Sequence, residues 1–357
     1  MKRGILSRPS LLCLQQWGIQ IMKKGTRFWI AGVVLLALLC ITVFHYGMTK
    51  IEYTSEELPK TYDYHYAMIT DEGDSDFWDK VYESAKETGL KNNVYVERFG
   101  SGLAVEYRKN QLIELAIQAS VDGIILPGDE EEETLDLLDE AGKAGIPVVT
   151  VQTDCSGSLR QCFVGTNNYN LGQDYGKQIV EILKEKEVSE EDTVHVLVLM
   201  DEDRVDTSQN LILLGLRENV KKLFGDDRVI VDTELIDNAG SFRSEESIRD
   251  IFLNWNELPD IMVCLNEINT RCAFQAAVDY NKVGKVQILG YYDSDAILDA
   301  VAKEIVYATF APDTEQMGKD CVLALDEYVK TGYTNGYMAV DTALIKSGEA
   351  VKRLDEK

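Results

Sequence analysis

The sequence predicts an α/β protein made of two doubly wound αβα lobes with parallel sheets, preceded by one N-terminal transmembrane helix. Three observations predict it. Residues Phe28–Phe44, FWIAGVVLLALLCITVF, run for seventeen positions without a charge. From Tyr64 onward, short runs rich in Val, Ile and Leu alternate with amphipathic stretches, the pattern of parallel strands covered on both faces by helices. That rhythm restarts after FVGTNN (163–168), and the strands are too many for one small sheet.

The apolar run sits at the lower edge of what spans a bilayer core. Phe28, Trp29 and Tyr46 lie at its two ends, where amphipathic rings prefer the headgroup level. Before it stand Lys2, Arg3, Arg8, Lys23, Lys24 and Arg27, with no acid anywhere before Lys50. The excess of basic residues keeps the N-terminus cytoplasmic and exports the rest. The expectation is a cell-membrane protein with a single pass and its large domain outside the cytoplasm. A cleaved signal peptide is the rival reading. It is disfavoured because Leu38 and Leu39 before Cys40, and His45-Tyr46-Gly47, make poor cleavage sites. Met22, followed by Lys23-Lys24, is an alternative start. The expected divisions are a tail over 1–27, an anchor over 28–47 and a polar stalk over 48–62.

The elements then follow in order. YHYAMIT (64–70) reads as a strand and 77–88 as a helix stopped by Gly89. VYVERF (94–99) is the next strand, followed by a helix over 104–120 with Leu112, Leu115, Ala116 and Ala119 at helical spacing. GIILP (123–127), a helix over 131–144 and IPVVTVQ (146–152) complete the first set. In the second set, helices over 169–186, 208–223, 243–254, 267–280 and 294–302 alternate with strands at 194–200, 229–235, 260–266, 286–292 and 306–311. A last helix over 314–330 precedes YMAVDTALI (337–345).

Composition narrows the function. The chain carries 36 basic and 61 acidic residues, a net charge of −25. Setting aside the six basic residues of the N-terminal flank leaves 30 against 61, or −31, for the rest. Such a surface repels phosphate backbones, so no nucleic-acid partner is expected. The seven cysteines include no CxxC pair and suggest neither a zinc site nor a disulfide scaffold. Cys155 and Cys162 bracket SGSLRQ, where a local disulfide and two reduced thiols both remain open. His45, His65 and His195 have no Cys or carboxylate at ligand or triad spacing, and no GxSxG, Walker loop or GxGxxG occurs. DEDRVD (201–206) lacks the glycine that a calcium loop needs for its turn. The expectation is therefore no enzyme, no metal and no cofactor.

In doubly wound sheets ligands bind beyond the carboxyl ends of the strands. Acids gather there: Asp71, Glu72, Asp74, Asp76, Asp129, Asp154, Asp201, Asp203, Asp206, Glu267 and Asp293. Helix capping alone accounts for about half of them.

At this point the chain resembles the type I periplasmic binding proteins, in the ribose- and galactose-binding branch. The similarity runs from about Tyr64 to Ile345. Phe77-Trp78 looks like the family's aromatic pair, while VDGIILPGD (121–129) and AGIPVVTVQTD (144–154) match its third and fourth strands. FVGTNNYNLGQDYG (163–176), ATFAPDTEQMGKD (308–320) and VDTALI (340–345) match the three crossings between lobes. MVCLNEINTRCAFQAA (262–277) and ILGYYDSDAILDAV (288–301) resemble lobe-two ligand segments. Lactose-repressor-type regulators share this fold, but here a membrane segment stands where their DNA-binding motif would be.

The resemblance implies a hinged clamp, with lobe 1 over 63–165 plus 313–338 and lobe 2 over 166–312 plus 339–357. It implies that Phe77 and Trp78 stack on a sugar ring, with Asp154, Asn210, Asn266 and Asp293 reading hydroxyls. Asp76, Gln152, Arg204 and Pro312 stand at secondary positions. The chain departs from the pattern: Gln152-Thr153 replaces an Asp-Arg pair, Asn210 replaces an arginine, and Pro312 replaces a glutamine. The implied function is an extracytoplasmic, membrane-anchored solute-binding component of an ABC transporter. It would capture a sugar or sugar-like ligand by hinge closure and present it to the permease. The alternatives are a ligand sensor docking on a membrane histidine kinase, or a clamp repurposed for a non-sugar ligand.

Overall fold

The computed structural model describes residues 61–356 except 71–74, 104, 106, 188–191, 203–206, 225–227, 239–240 and 255–257. The expected tail, anchor and nearly all of the stalk lie outside the described residues. Among those described, no helix is long and apolar enough to cross a membrane.

The strands in chain order are β1 (Tyr64–Met68), β2 (Val94–Arg98), β3 (Gly123–Leu126), β4 (Val148–Val151), β5 (Cys162–Gly165) and β6 (Val194–Asp201). They continue as β7 (Val229–Ile236), β8 (Ile261–Cys264), β9 (Gln287–Tyr291), β10 (Ala308–Pro312), β11 (Tyr337–Ala339) and β12 (Thr342–Ile345). The helices are α1 (Asp76–Lys91), α2 (Lys109–Gln118), α3 (Glu132–Lys143), α4 (Asn168–Glu185) and α5 (Thr207–Phe224). After them come α6 (Ser241–Asn254), α7 (Glu267–Asp279), α8 (Asp295–Ala302), α9 (Thr314–Thr331) and α10 (Ser347–Asp355).

Two six-stranded sheets result, ordered β11-β5-β4-β3-β1-β2 and β12-β10-β9-β8-β6-β7. We call their layers lobe 1 and lobe 2. Every pair is parallel except β10 with β12, where Thr309 faces Ile345 and Pro312 faces Thr342. The expected parallel sheets are present, with this one antiparallel pair at the edge of the second. Only Val340 and Asp341 separate β11 from β12, so no helix turns the chain round before it enters the second sheet.

Sequence explains the layering. GIIL of β3, VVTV of β4 and IMVC of β8 are buried along their whole length, as central parallel strands must be. Edge strand β7 is exposed over Asp232–Leu235. Helix α1 buries Phe77, Trp78, Val81, Ala85 and Gly89 along one stripe. Helix α9 packs on it so closely that a Cβ on Gly318 would collide with the Val81 carbonyl oxygen. Tyr66 Oη and Asn92 Nδ2 both donate to the buried Asp326 of α9, each at 2.8 Å, fastening that late helix to lobe 1. In lobe 2, α4 and α5 approach across Gly172, where a Cβ would strike the Ile212 carbonyl oxygen.

Four local differences from the sequence reading have physical causes. The helix read over 104–120 is Lys109–Gln118, because Arg108 stays extended and its backbone N–H donates to Gln111 Oε1 at 3.0 Å. The segment read only as a crossing at 163–168 includes β5, whose four residues are all buried. YMAVDTALI is divided between the two sheets. Helix α10 carries one buried residue, Ala350, too thin an apolar stripe to show in the sequence.

The chain passes between the sheets after β5, after β10, and between β11 and β12. These segments are bonded to one another. Val340 N donates to Gly165 O at 3.0 Å and Asp313 N to Asp341 O at 3.0 Å, while Gln316 Nε2 reaches Ala339 O at 3.3 Å.

Candidate ligand-binding cleft

The carboxyl ends of the two sheets meet in a cleft of two adjoining cavities. The first, about 500 Å³ including space open to solvent, is lined by Gln152, Thr153, Thr166, Asn168, Leu171, Asp201, Ser208, Gln209, Ile212, Leu265, Asn266 and Tyr291. The second, about 390 Å³ on the same basis, adds Ser75, Phe77, Trp78, Glu267 and Ile268. Gln152, Asp201, Asn266 and Tyr291 border both.

Each wall residue is set by a strand end. Gln152 follows β4 with φ +66°, and Thr153 N donates to Val151 O at 2.8 Å, a γ-turn that aims Gln152 into the cleft. A left-handed glutamine costs about 1–3 kcal/mol, and such strain gathers at ligand sites. Thr153 is 7% exposed and its Oγ1 has no partner. An unpaired buried hydroxyl costs about 1–3 kcal/mol, which a ligand bond would offset. Asn266 caps α7, its Oδ1 accepting from Asn269 N at 2.7 Å, and no group in the described residues accepts from its Nδ2. Asp201 N donates to Gln209 Oε1 at 2.7 Å, which fixes Gln209 against the wall. The aromatic wall is rigid: Phe77 and Trp78 meet edge to face at 5.1 Å.

The charged side chains lining the two cavities, among the described residues, are Asp201 and Glu267. Glu267 is 7% exposed, and burial pushes its carboxyl above the ordinary range against the opposing pull of Ser75 and Arg271. Such a cleft disfavours anions and suits a ligand rich in hydroxyl or amino groups.

Of the residues singled out in the sequence, Phe77, Trp78, Gln152 and Asn266 come together here. Asp76 stands beside them, accepting from Tyr292 Oη at 2.9 Å and pairing with Lys80 at 3.0 Å. The others are placed differently. Asp154 is gripped by Arg160 through two bonds and also accepts from Thr150 Oγ1 at 2.9 Å and Cys155 N at 2.8 Å. Asp293 pairs with Arg353. Asn210 is exposed, because the inward face of α5 runs through Gln209, Ile212, Leu213, Leu216 and Val220. Pro312 closes β10 and borders neither cavity. Arg204 lies outside the described residues. Gln209, Ser208 and Tyr291 also line the cavities and were not singled out in the sequence. Extending the apolar stripe of α5 back by one turn would have selected Gln209 over Asn210. Cys155 and Cys162 are free, buried thiols, both pushed up to about 11 by burial.

Two doubly wound lobes, three crossings and a cleft between facing strand ends define the architecture. A periplasmic binding protein domain model matches residues 66–334, and the chain belongs to that family. A D-apiose import binding protein from Actinobacillus succinogenes is 24% identical over 292 residues, 80% of this chain and 89% of that one. The crystal structure of a glucose-galactose binding protein from Geobacillus stearothermophilus superposes with a TM-score of 0.69 at 22% identity, over 80% of this chain and 98% of that one. The XylFII–LytSN complex contains a chain of the same fold, with a TM-score of 0.65 at 24% identity over 80% and 98% of the respective chains. The D-apiose and glucose-galactose relatives are named as binding proteins and not as enzymes, in line with the sequence expectation.

Proposed function

We propose that this protein is a solute-binding protein that captures a sugar or sugar-like ligand between its lobes and presents it to an ABC permease. The observation that carries the reading is the meeting of an aromatic edge, Phe77 and Trp78, with amides and hydroxyls from Gln152, Thr153, Gln209 and Asn266 in one cleft. A pyranose has an apolar face for the rings and a rim of hydroxyls for the amides. The import-protein relative supports the sugar class and the transport role. Within this reading the lobes comprise 63–165 plus 313–338 and 166–312 plus 339–357. Phe28–Phe44 tethers them outside the cytoplasm, near the membrane partner.

The test is thermal unfolding against neutral sugars, amino sugars and uronates. A ligand at a hundredfold excess over Kd stabilises by about 2.7 kcal/mol. Neutral or amino sugars should raise the midpoint and uronates should not. Stabilisation by uronates alone, or by no sugar, contradicts the reading.

A further inference from the structure

The first turn of α1 carries the aromatic wall of the cleft, and the bonds that satisfy it come from the other lobe. Ser75 occupies the N-cap position, but its side chain makes no cap bond to its own helix. Its Oγ instead donates to Glu267 Oε2 at 3.1 Å. The Phe77 backbone amide faces the same carboxylate and favours its charged form, against the larger effect of burial. Glu267 is the first residue of α7, so the N-terminal dipoles of two helices, one per lobe, converge on one buried acid. Beside it, Tyr292 Oη of lobe 2 donates to Asp76 Oδ2 at 2.9 Å, and the Tyr292 ring meets Phe77 edge-on at 5.4 Å. Lys80 Nζ sits 5.1 Å from the centre of the same ring. Tyr292 is held firmly in its own lobe. It has φ +81°, its N donates to Phe310 O at 2.7 Å, and its carbonyl accepts from Thr309 Oγ1 at 2.7 Å.

We propose that Glu267 and Tyr292 are positioning residues of the clamp. They grip the first turn of α1 from across the cleft, so that lobe closure and alignment of the Phe77–Trp78 wall are one event that proceeds without ligand. An α-helix leaves its first N–H groups without intrahelical partners. Here the Glu267 carboxylate, from the opposite lobe, faces that turn and is held to it by the Ser75 hydroxyl, and opening exposes both the acid and the amides to water. This deepens the proposed binding function, since the wall it aligns is the wall of that cleft.

Hydrogen exchange on the full chain, with no sugar present, tests it. In the parent the Phe77 amide should be protected. Glu267→Ala should speed its exchange about ten- to a hundredfold, the range expected for losing an interaction with a charged group. Glu267→Gln keeps an accepting oxygen and should restore part of the protection. The interior amides of α7 should stay protected in both variants, which separates loss of the grip from loss of folding. Tyr292→Phe keeps the buried ring and should speed the same α1 amide by a smaller factor. A sugar panel that fails to stabilise the chain would leave these rates unchanged, so the two readings fail separately. An unprotected first turn in the parent, or parental rates in Glu267→Ala, overturns the proposal.

Discussion

Arg353 Nη1 donates to Asp293 Oδ2 at 2.8 Å, tying the C-terminal helix to the loop that leaves β9. Arg353 Nε also reaches Glu349 Oε1 at 3.3 Å, which orients the guanidinium along α10. Asp293, one of the ligand candidates in the sequence, thus holds α10. Asp293→Asn should lower stability by about 0.5–1 kcal/mol, the scale of a partly exposed pair. Ligand affinity should stay at the parental value. Denaturant unfolding and calorimetry read the two effects separately.

Tyr66 donates to Asp326, which is 4% exposed and also accepts from Asn92 and Lys330. Tyr66→Phe should destabilise the protein by about 1.5–3 kcal/mol, because a buried carboxylate loses a donor. Urea unfolding should show the loss with an unchanged m-value. An effect below measurement error would mean that the remaining donors and water serve Asp326 fully.

Gly172 lies where α5 crosses α4. Gly172→Ala would press a Cβ against the Ile212 carbonyl oxygen, which is backbone and cannot rotate away. Destabilisation by about 1–3 kcal/mol is expected. A variant as stable as the parent would show that the helices separate easily.

Cys155 and Cys162 are buried, and their thiols are pushed up to about 11 from an ordinary 9.0. A thiol with a raised folded-state pKa favours folding while protonated in both states, and that contribution is lost as rising pH ionises the unfolded chain first. Stability should therefore fall between about pH 9 and 11, and less steeply in a Cys155→Ala, Cys162→Ala chain. Both thiols should resist a thiol reagent in the native protein and react fully in denaturant. Rapid native labelling would contradict their burial.

The sequence showed the βα rhythm because buried parallel strands such as GIIL and VVTV are continuous apolar runs that no surface segment imitates. Resemblance to the family pointed to Phe77, Trp78 and Asn266, which line the cavities. The sequence did not show which strand-end acids face the cleft. Asp154 and Asp293 look alike in the sequence, and their partners Arg160 and Arg353 are recruited by loop and helix geometry. Gln209 was hidden by one residue of helix phase. The left-handed turn that aims Gln152 depends on Val164 and Val151 carbonyls supplied by two strands, which local pattern does not reveal.

The Phe77–Trp78 edge and the Gln152–Asn266 amides should hold one ligand. Titration calorimetry of the parent, Trp78→Ala and Asn266→Ser, using the most stabilising sugar of the panel, tests it most directly. Serine retains a capping oxygen at 266, so the fold should survive while the amide donor is lost. Each substitution should weaken binding by about 1–3 kcal/mol without a matching loss of stability. Parental affinity in both variants would place the ligand elsewhere and contradict the account.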